Sequence, residues 1–159
     1  MAKLIRARPL TRESFAPFGE VLEAPAAPGR AYFDDCLSSA RPEASTSLSL
    51  THVEPAAVLP LTARLMERHE FSSQSFIPLE VGRWLVIVAP PAVGGGPDVA
   101  AAEAFLAGPG HGITYRLGTW HHPLTVLYRP AIFAVVMWRD GTARDEEFVQ
   151  IDPFLVAVE

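Results

Sequence analysis

The chain has no long apolar run. Its longest, Trp84 to Pro91 and Ala131 to Trp138, are about eight residues each, far short of the roughly 20 a membrane-spanning helix needs. A helical membrane anchor is thereby excluded. Positive charge is also scarce: 13 Lys and Arg stand against 18 Asp and Glu, a net charge of -5. That balance supplies no field for holding a nucleic-acid backbone. Cysteine is almost absent, and Cys36 alone can form no internal disulfide, which points to a reducing compartment. With no histidine adjacent in sequence, Cys36 reads as a small, partly buried apolar residue and not as a reactive thiol. Met1 to Arg6 lacks the apolar core and cleavage site of a secretory signal, so a cytoplasmic location is expected.

Hydrophobic residues make up 49% of the 159 positions and charged residues 19%, which is globular composition and enough for one domain spanning 1–159. No internal repeat or low-complexity tract interrupts it. Fifteen prolines and eleven glycines cut the chain into short pieces, and short pieces favour β architecture. Strand-like runs are read at Leu4 to Arg8, Ser45 to Val53, Gln74 to Leu79, Trp84 to Ala89, Gly112 to Arg116, Thr125 to Tyr128, Ala131 to Trp138 and Glu147 to Ile151. Two short helices are expected. Thr11 caps a turn carrying Phe15 and Phe18, and Pro97-Asp98 opens an alanine-rich helix through Leu106, stopped by Gly108-Pro109. Gly94-Gly95-Gly96 lacks the Lys-Ser/Thr of a phosphate loop and reads as a surface connection. Many short strands without βαβ alternation predict a mainly β, antiparallel barrel or sandwich able to hold one small ligand.

Function is then sought in inward-facing polar residues. Alternation sets Leu65, Glu67 and His69 on one face of an extended segment and Met66 and Arg68 on the other. Gln74, Phe76 and Pro78 share a face in the same way. In Gly118-Thr119-Trp120-His121-His122-Pro123 the adjacent histidines must face oppositely, so only one of them can line the same space. Three of the five histidines lie in these two segments, beside other polar groups. The expectation is small-molecule chemistry in a pocket containing His69 and His121.

Glu67-Arg68-His69, Gln74 with Phe76-Ile77-Pro78, and Gly118-Thr119-Trp120-His121-His122-Pro123-Leu124 resemble signature segments of the ureidoglycolate lyase family, also called ureidoglycolate hydrolase. Pro9-Leu10-Thr11 with Phe15-Ala16-Pro17-Phe18-Gly19-Glu20-Val21, Pro97-Asp98 ahead of Phe105, and the Asp140-Gly141 turn extend the likeness over nearly the whole chain. Tyr32 to Leu37 departs from it: family members often carry Asn-Gly and a nearby arginine there, and here the arginine is displaced to Arg41. The resemblance implies a cupin-like β-barrel or jelly roll, a homodimer, and cleavage of (S)-ureidoglycolate to glyoxylate and urea in allantoin breakdown.

On that footing His69, His121 and Glu67 are the catalytic candidates, since imidazole titrates near neutral pH and a carboxylate can orient it or share its proton. Gln74, Arg68, Tyr115, Trp120 and His122 are candidates for binding substrate, with strand parity counting against Arg68. His69, Gln74 and His121 fall where cupins place metal ligands, with Glu67 alongside, so one divalent ion (nickel, manganese, iron or zinc) or none at all stays open. The alternatives are another metal-dependent cupin enzyme, an isomerase or oxygenase, or a non-catalytic ligand-binding cupin.

Overall fold

A computed structural model describes residues 1–159. In chain order it runs β1 (Leu4–Arg6), β2 (Arg8–Pro9), α1 (Arg12–Phe15), β3 (Gly19–Leu22), β4 (Ser45–Val53), β5 (Leu61–Arg68), β6 (Gln74–Glu80), β7 (Trp84–Ala89), a 3-10 turn (Val99–Ala101), β8 (Glu103–Ala107), β9 (Gly112–Tyr115), β10 (Trp120–His121), β11 (Thr125–Val126), β12 (Ala131–Arg139) and β13 (Glu147–Ala157). The expected mainly β, barrel-like architecture is present, and no helix is long and apolar enough to cross a membrane. One sheet of eight strands has the order β1-β13-β5-β10-β7-β8-β2, with β11 on β7; the other, of five strands, has the order β3-β9-β6-β12-β4.

β7 explains why there are two cores. All six of its residues are buried, because each face of the strand looks onto apolar side chains. Trp84, Val86 and Val88 join the core between the sheets with Phe15, Phe76, Phe105, Ile113 and Phe133. Leu85, Ile87 and Ala89 join a second cluster with Met66, Ala104, Trp120, Phe154 and Val156, enclosed where the larger sheet curls round and β1 approaches β8. Such a strand reads as a continuous apolar run and not as an alternating one.

α1 forms as expected: Thr11 and Ser14 make a reciprocal capping box that places Phe15 in the core. The second expected helix is a correction. Only Val99–Ala101 turn, and Glu103–Ala107 is instead a strand paired with β7. Burial overrides alanine's helix propensity here, since Phe105 and Ala107 enter one core while Ala104 and Leu106 pack on the other. Gly94, Gly95 and Gly96 all adopt positive φ in an open surface loop.

Candidate active site

Glu67 and His121 are direct partners across the β5–β10 ladder, and partners across a ladder share a sheet face. That face looks between the sheets. Met66 and Trp120, one residue earlier on each strand, face the second core. His69 follows β5 by one residue, and its peptide carbonyl accepts the Gly118 N–H at 2.8 Å, tying the two histidine segments together. The His69 and His121 rings lie 5.7 Å apart between centroids, only 6% and 2% exposed. Ligand atoms of Glu67, His69 and His121 all fall within 4.8 Å of one another.

Backbone carbonyls set both tautomers. His69 Nδ1 lies 3.2 Å from the Asp145 carbonyl, and His121 Nδ1 lies 2.8 Å from that of Thr119. A carbonyl only accepts, so each Nδ1 carries the proton and donates it, which leaves Nε2 as the free ring nitrogen. Both Nε2 atoms are buried without an aligned hydrogen-bond partner. His121 Nε2 stands 3.3 Å from Glu67 Oε1, close but poorly aligned, so a proton or a cation is needed between them to relieve lone-pair repulsion.

Burial pushes the Glu67 carboxyl up, but the facing His121, with His69 and His122 behind it, draws it below its ordinary value. Burial holds the His69 imidazole below its usual range, and the neighbouring His121 adds to this against the opposing pull of Glu67 and Asp145. Glu67 is thus held as a carboxylate and the His69 ring as a neutral imidazole. Tyr115 stacks on His121 at 4.2 Å and 15°, and burial, with Glu67 nearby, pushes its phenol well above the normal value. It serves as a neutral wall that fixes the imidazole plane.

Gln74 pairs with Tyr115 on the β6–β9 ladder and faces the same interior. Its Oε1 is buried and unpartnered, and its amide nitrogen reaches only Met137 Sδ, at 3.9 Å.

Three expected binding residues do not join the cluster. Arg68 turns to the opposite side, bonding Glu147 Oε2 at 2.6 Å with its guanidinium 4.8 Å over the Trp120 ring. Strand parity, and not its place between Glu67 and His69, decides where it points. Trp120 is buried in the second core for the same reason. His122 Nδ1 bonds within its own turn, to the Pro123 carbonyl at 2.9 Å, and burial holds its imidazole low.

Glu67, His69 and His121 converge as expected, but away from the open surface clefts. None of the five surface cavities is lined by Glu67, His69 or His121. Tyr115 covers one imidazole and the 140–146 turn reaches the other, while the Glu67 side chain keeps 16% of its surface exposed. The largest cleft, about 490 Å³, touches Gly118 and Thr119 on the loop that carries His121. Cys36 is buried and free, and desolvation raises its thiol pKa, as suits an inert residue.

Asp145 is the functional neighbour the sequence did not reveal. A backbone acceptor carries no residue-type signature, and its segment lies far from His69 along the chain.

A model of the ureidoglycolate lyase family matches residues 2–157. The chain belongs to that family. Among curated relatives, the ureidoglycolate lyase of Pseudomonas syringae is 36% identical, with the match covering 98% of this chain and 95% of that protein. The enzyme of the same name from Pseudomonas fluorescens is 35% identical, covering 93% of each. Pseudomonas aeruginosa has another at 35%, covering 97% and 95%. Among solved structures, Bacillus subtilis oxalate decarboxylase has a TM-score of 0.44 at 15% identity, over 91% of this chain and 30% of that one. A dTDP sugar isomerase from Desulfovibrio desulfuricans reaches 0.47 at 15%, over 83% and 82%.

Proposed function

We propose that the chain is a single-domain ureidoglycolate lyase that splits (S)-ureidoglycolate into glyoxylate and urea, with His69 as base and the His121–Glu67 pair as acid. The observation that carries the assignment is the asymmetry of the two imidazoles. Both Nε2 atoms are buried without an aligned partner, but the His69 ring is held neutral, whereas His121 Nε2 faces a carboxylate at 3.3 Å. Membership of the family, and relatives that bear the enzyme's name over nearly their full lengths, support the substrate.

Ureidoglycolate is a hemiaminal. His69 Nε2 takes the proton of the C2 hydroxyl, and the oxygen's electron pair forms the aldehyde C=O of glyoxylate. The C–N bond breaks with its electrons on nitrogen, and the proton shared by His121 and Glu67 passes to that nitrogen to complete urea. One proton enters His69 and one leaves His121, so the cycle closes when the site returns a proton from one ring to the other. General acid and base assistance of this kind is worth typically 10²–10⁴-fold each.

The same residues suit a divalent ion. Two Nε2 donors fixed by backbone acceptors at Nδ1, with one carboxylate, form a usable ligand set, to which the neutral amide of Gln74 adds little. Such an ion would occupy the His69 Nε2 lone pair and, in place of that base, would polarise the substrate hydroxyl and lower its pKa.

A homodimer formed through the smaller sheet fits this reading. Leu48 and Leu50 on edge strand β4 are 72% and 68% exposed, and with Ile77 and the half-buried Val136 they form an apolar outer face suited to a second copy. A cytoplasmic location fits the single free cysteine, as expected of a reducing compartment.

The test is release of glyoxylate and urea by purified protein carrying His69→Ala or His121→Ala. Each is expected to stay folded and lose at least about 10²-fold in turnover. Wild-type rates in both folded variants would overturn the assignment, and release of ammonia in place of urea would overturn the lyase reaction.

A further inference from the structure

Three segments distant in sequence meet beside His69. Ser38 to Arg41 lies along Phe71 to Ser73, through Ala40 N–H to the Phe71 carbonyl at 2.9 Å and Ser73 N–H to the Ser38 carbonyl at 2.9 Å. The Asp140 to Glu146 turn closes over both. Asp145 does two things there: its carbonyl accepts from His69 Nδ1, and its Oδ1 accepts from the Phe71 N–H at 2.8 Å. Its other carboxylate oxygen is buried without a hydrogen-bond partner. Such a charge is tolerable only with a counter-charge close by.

Arg41 is that counter-charge. Its guanidinium lies 3.0 Å from Asp140 and 3.8 Å from Asp145, and it rests over the Phe71 ring at 5.7 Å. The three side chains are 11%, 12% and 7% exposed, with Asp145 the deepest and Asp140 at the rim. Asp140 is itself held by the Thr142 N–H and hydroxyl, at 2.9 and 2.6 Å, which makes the turn a rigid unit for Arg41 to grip.

We propose that Arg41 is a positioning residue for His69: by pinning the 140–146 turn it keeps the Asp145 carbonyl at Nδ1, and so keeps the ring in the tautomer whose free Nε2 faces Glu67 and His121. The inference rests on the reading of His69 as the base. Arg41 does not touch the reacting atoms; it acts through Asp145. Without it, Asp145 becomes an uncompensated buried charge, the turn shifts to hydrate it, and the Nδ1–H loses its acceptor.

The test uses full-length protein with ¹⁵N-labelled histidine, the His69 signals being assigned by their loss in His69→Gln. Wild type is expected to show a neutral Nδ1–H ring. Arg41→Ala should show a mixture of tautomers, with kcat reduced about 10–100-fold, the usual effect of removing a residue that orients a catalytic imidazole. KM should change much less, and Arg41→Lys should restore part of both signals. Asp140→Asn, which weakens only one ion pair at the outer edge, should give an intermediate result and supplies the reading if Arg41→Ala does not fold. A folded variant with unchanged tautomer and wild-type kcat would overturn the proposal. So would a rise in KM with kcat and tautomer unchanged, which would make Arg41 a substrate contact. Failure of His69 as base is seen separately, as unimpaired turnover in His69→Gln.

Discussion

His121 lies directly opposite Glu67 on the β5–β10 ladder, and its Nε2 stands 3.3 Å from the Glu67 carboxylate while its Nδ1 is held by the Thr119 carbonyl. The pair is therefore fixed from both ends: ladder register sets the separation and a backbone acceptor sets the ring. Any exchange of a proton with substrate at His121 depends on the charge of Glu67.

Glu67→Gln tests that dependence with almost no change of volume. The amide leaves the shape of the site intact and removes the anion that holds the shared proton. The expected outcome is a fall of about 10²-fold in turnover, the lower end of what a general acid contributes. Glyoxylate release at saturating substrate, beside a melting curve, measures it. Full activity would mean that the carboxylate plays no part in proton transfer.

Arg68→Met is expected to leave turnover near wild type, although Arg68 sits between two site residues in sequence. Its partners are Glu147 and the outer side of Trp120. A half-exposed ion pair contributes about 0–1 kcal/mol and a cation–π contact onto a buried ring about 1–2 kcal/mol, so the loss belongs to stability. Urea denaturation and steady-state kinetics on one preparation separate the two effects. A large rise in KM would place Arg68 at the substrate after all.

Most of the fold could be read from the sequence. Ser45–Val53 and Trp84–Ala89 have the bounds expected of them, since long β-branched or alternating runs carry their own signal. The alanine-rich stretch was misread because Ala104 and Ala107 are small for packing reasons that exist only once β8 lies on β7. Glu67, His69 and His121 also converge as parity and the family resemblance implied. The residues that set their chemistry were not legible: the Thr119 and Asp145 acceptors are main-chain atoms, and Arg41 meets Asp145 only through the folded turn. Trp120 shows the opposite error, in which nearness in sequence stood in for direction along a strand, whereas Arg68 points where strand parity directs it.

Stability should fall in mild acid. The His69 and His122 imidazoles are both held below their ordinary value by burial, so the folded state resists protonation that the unfolded chain accepts freely. Their contribution is intact above the unfolded value of about 6.5 and is lost as pH falls through that value toward the folded one. Melting curves at steps between neutral pH and about pH 5 should slope downward over this window. His122→Asn, which removes one titrating ring outside the cluster, should flatten part of the slope; an unchanged slope would assign the whole effect to other groups.

Metal binding can be read without turnover. Donor atoms within 4.8 Å of one another stand wider than the roughly 3.4 Å that bonds of about 2.0–2.2 Å set in a tetrahedron, and side-chain shifts of about 1 Å would close the set. Nickel or zinc should therefore stabilise the folded chain, and manganese less, following the order of affinity for nitrogen donors. An ion that binds only the folded state adds about 2.7 kcal/mol at a hundred times its dissociation constant. For a domain of 159 residues that corresponds to a rise of roughly 5–10 °C in Tm. His69→Ala and Glu67→Ala should each abolish the rise, since two remaining ligands hold an ion poorly. Gln74→Ala should retain most of it, because a neutral amide donates weakly next to two imidazoles and a carboxylate. Equal shifts in wild type and His69→Ala would locate the ion elsewhere. The cluster would then hold only a proton between Glu67 and His121.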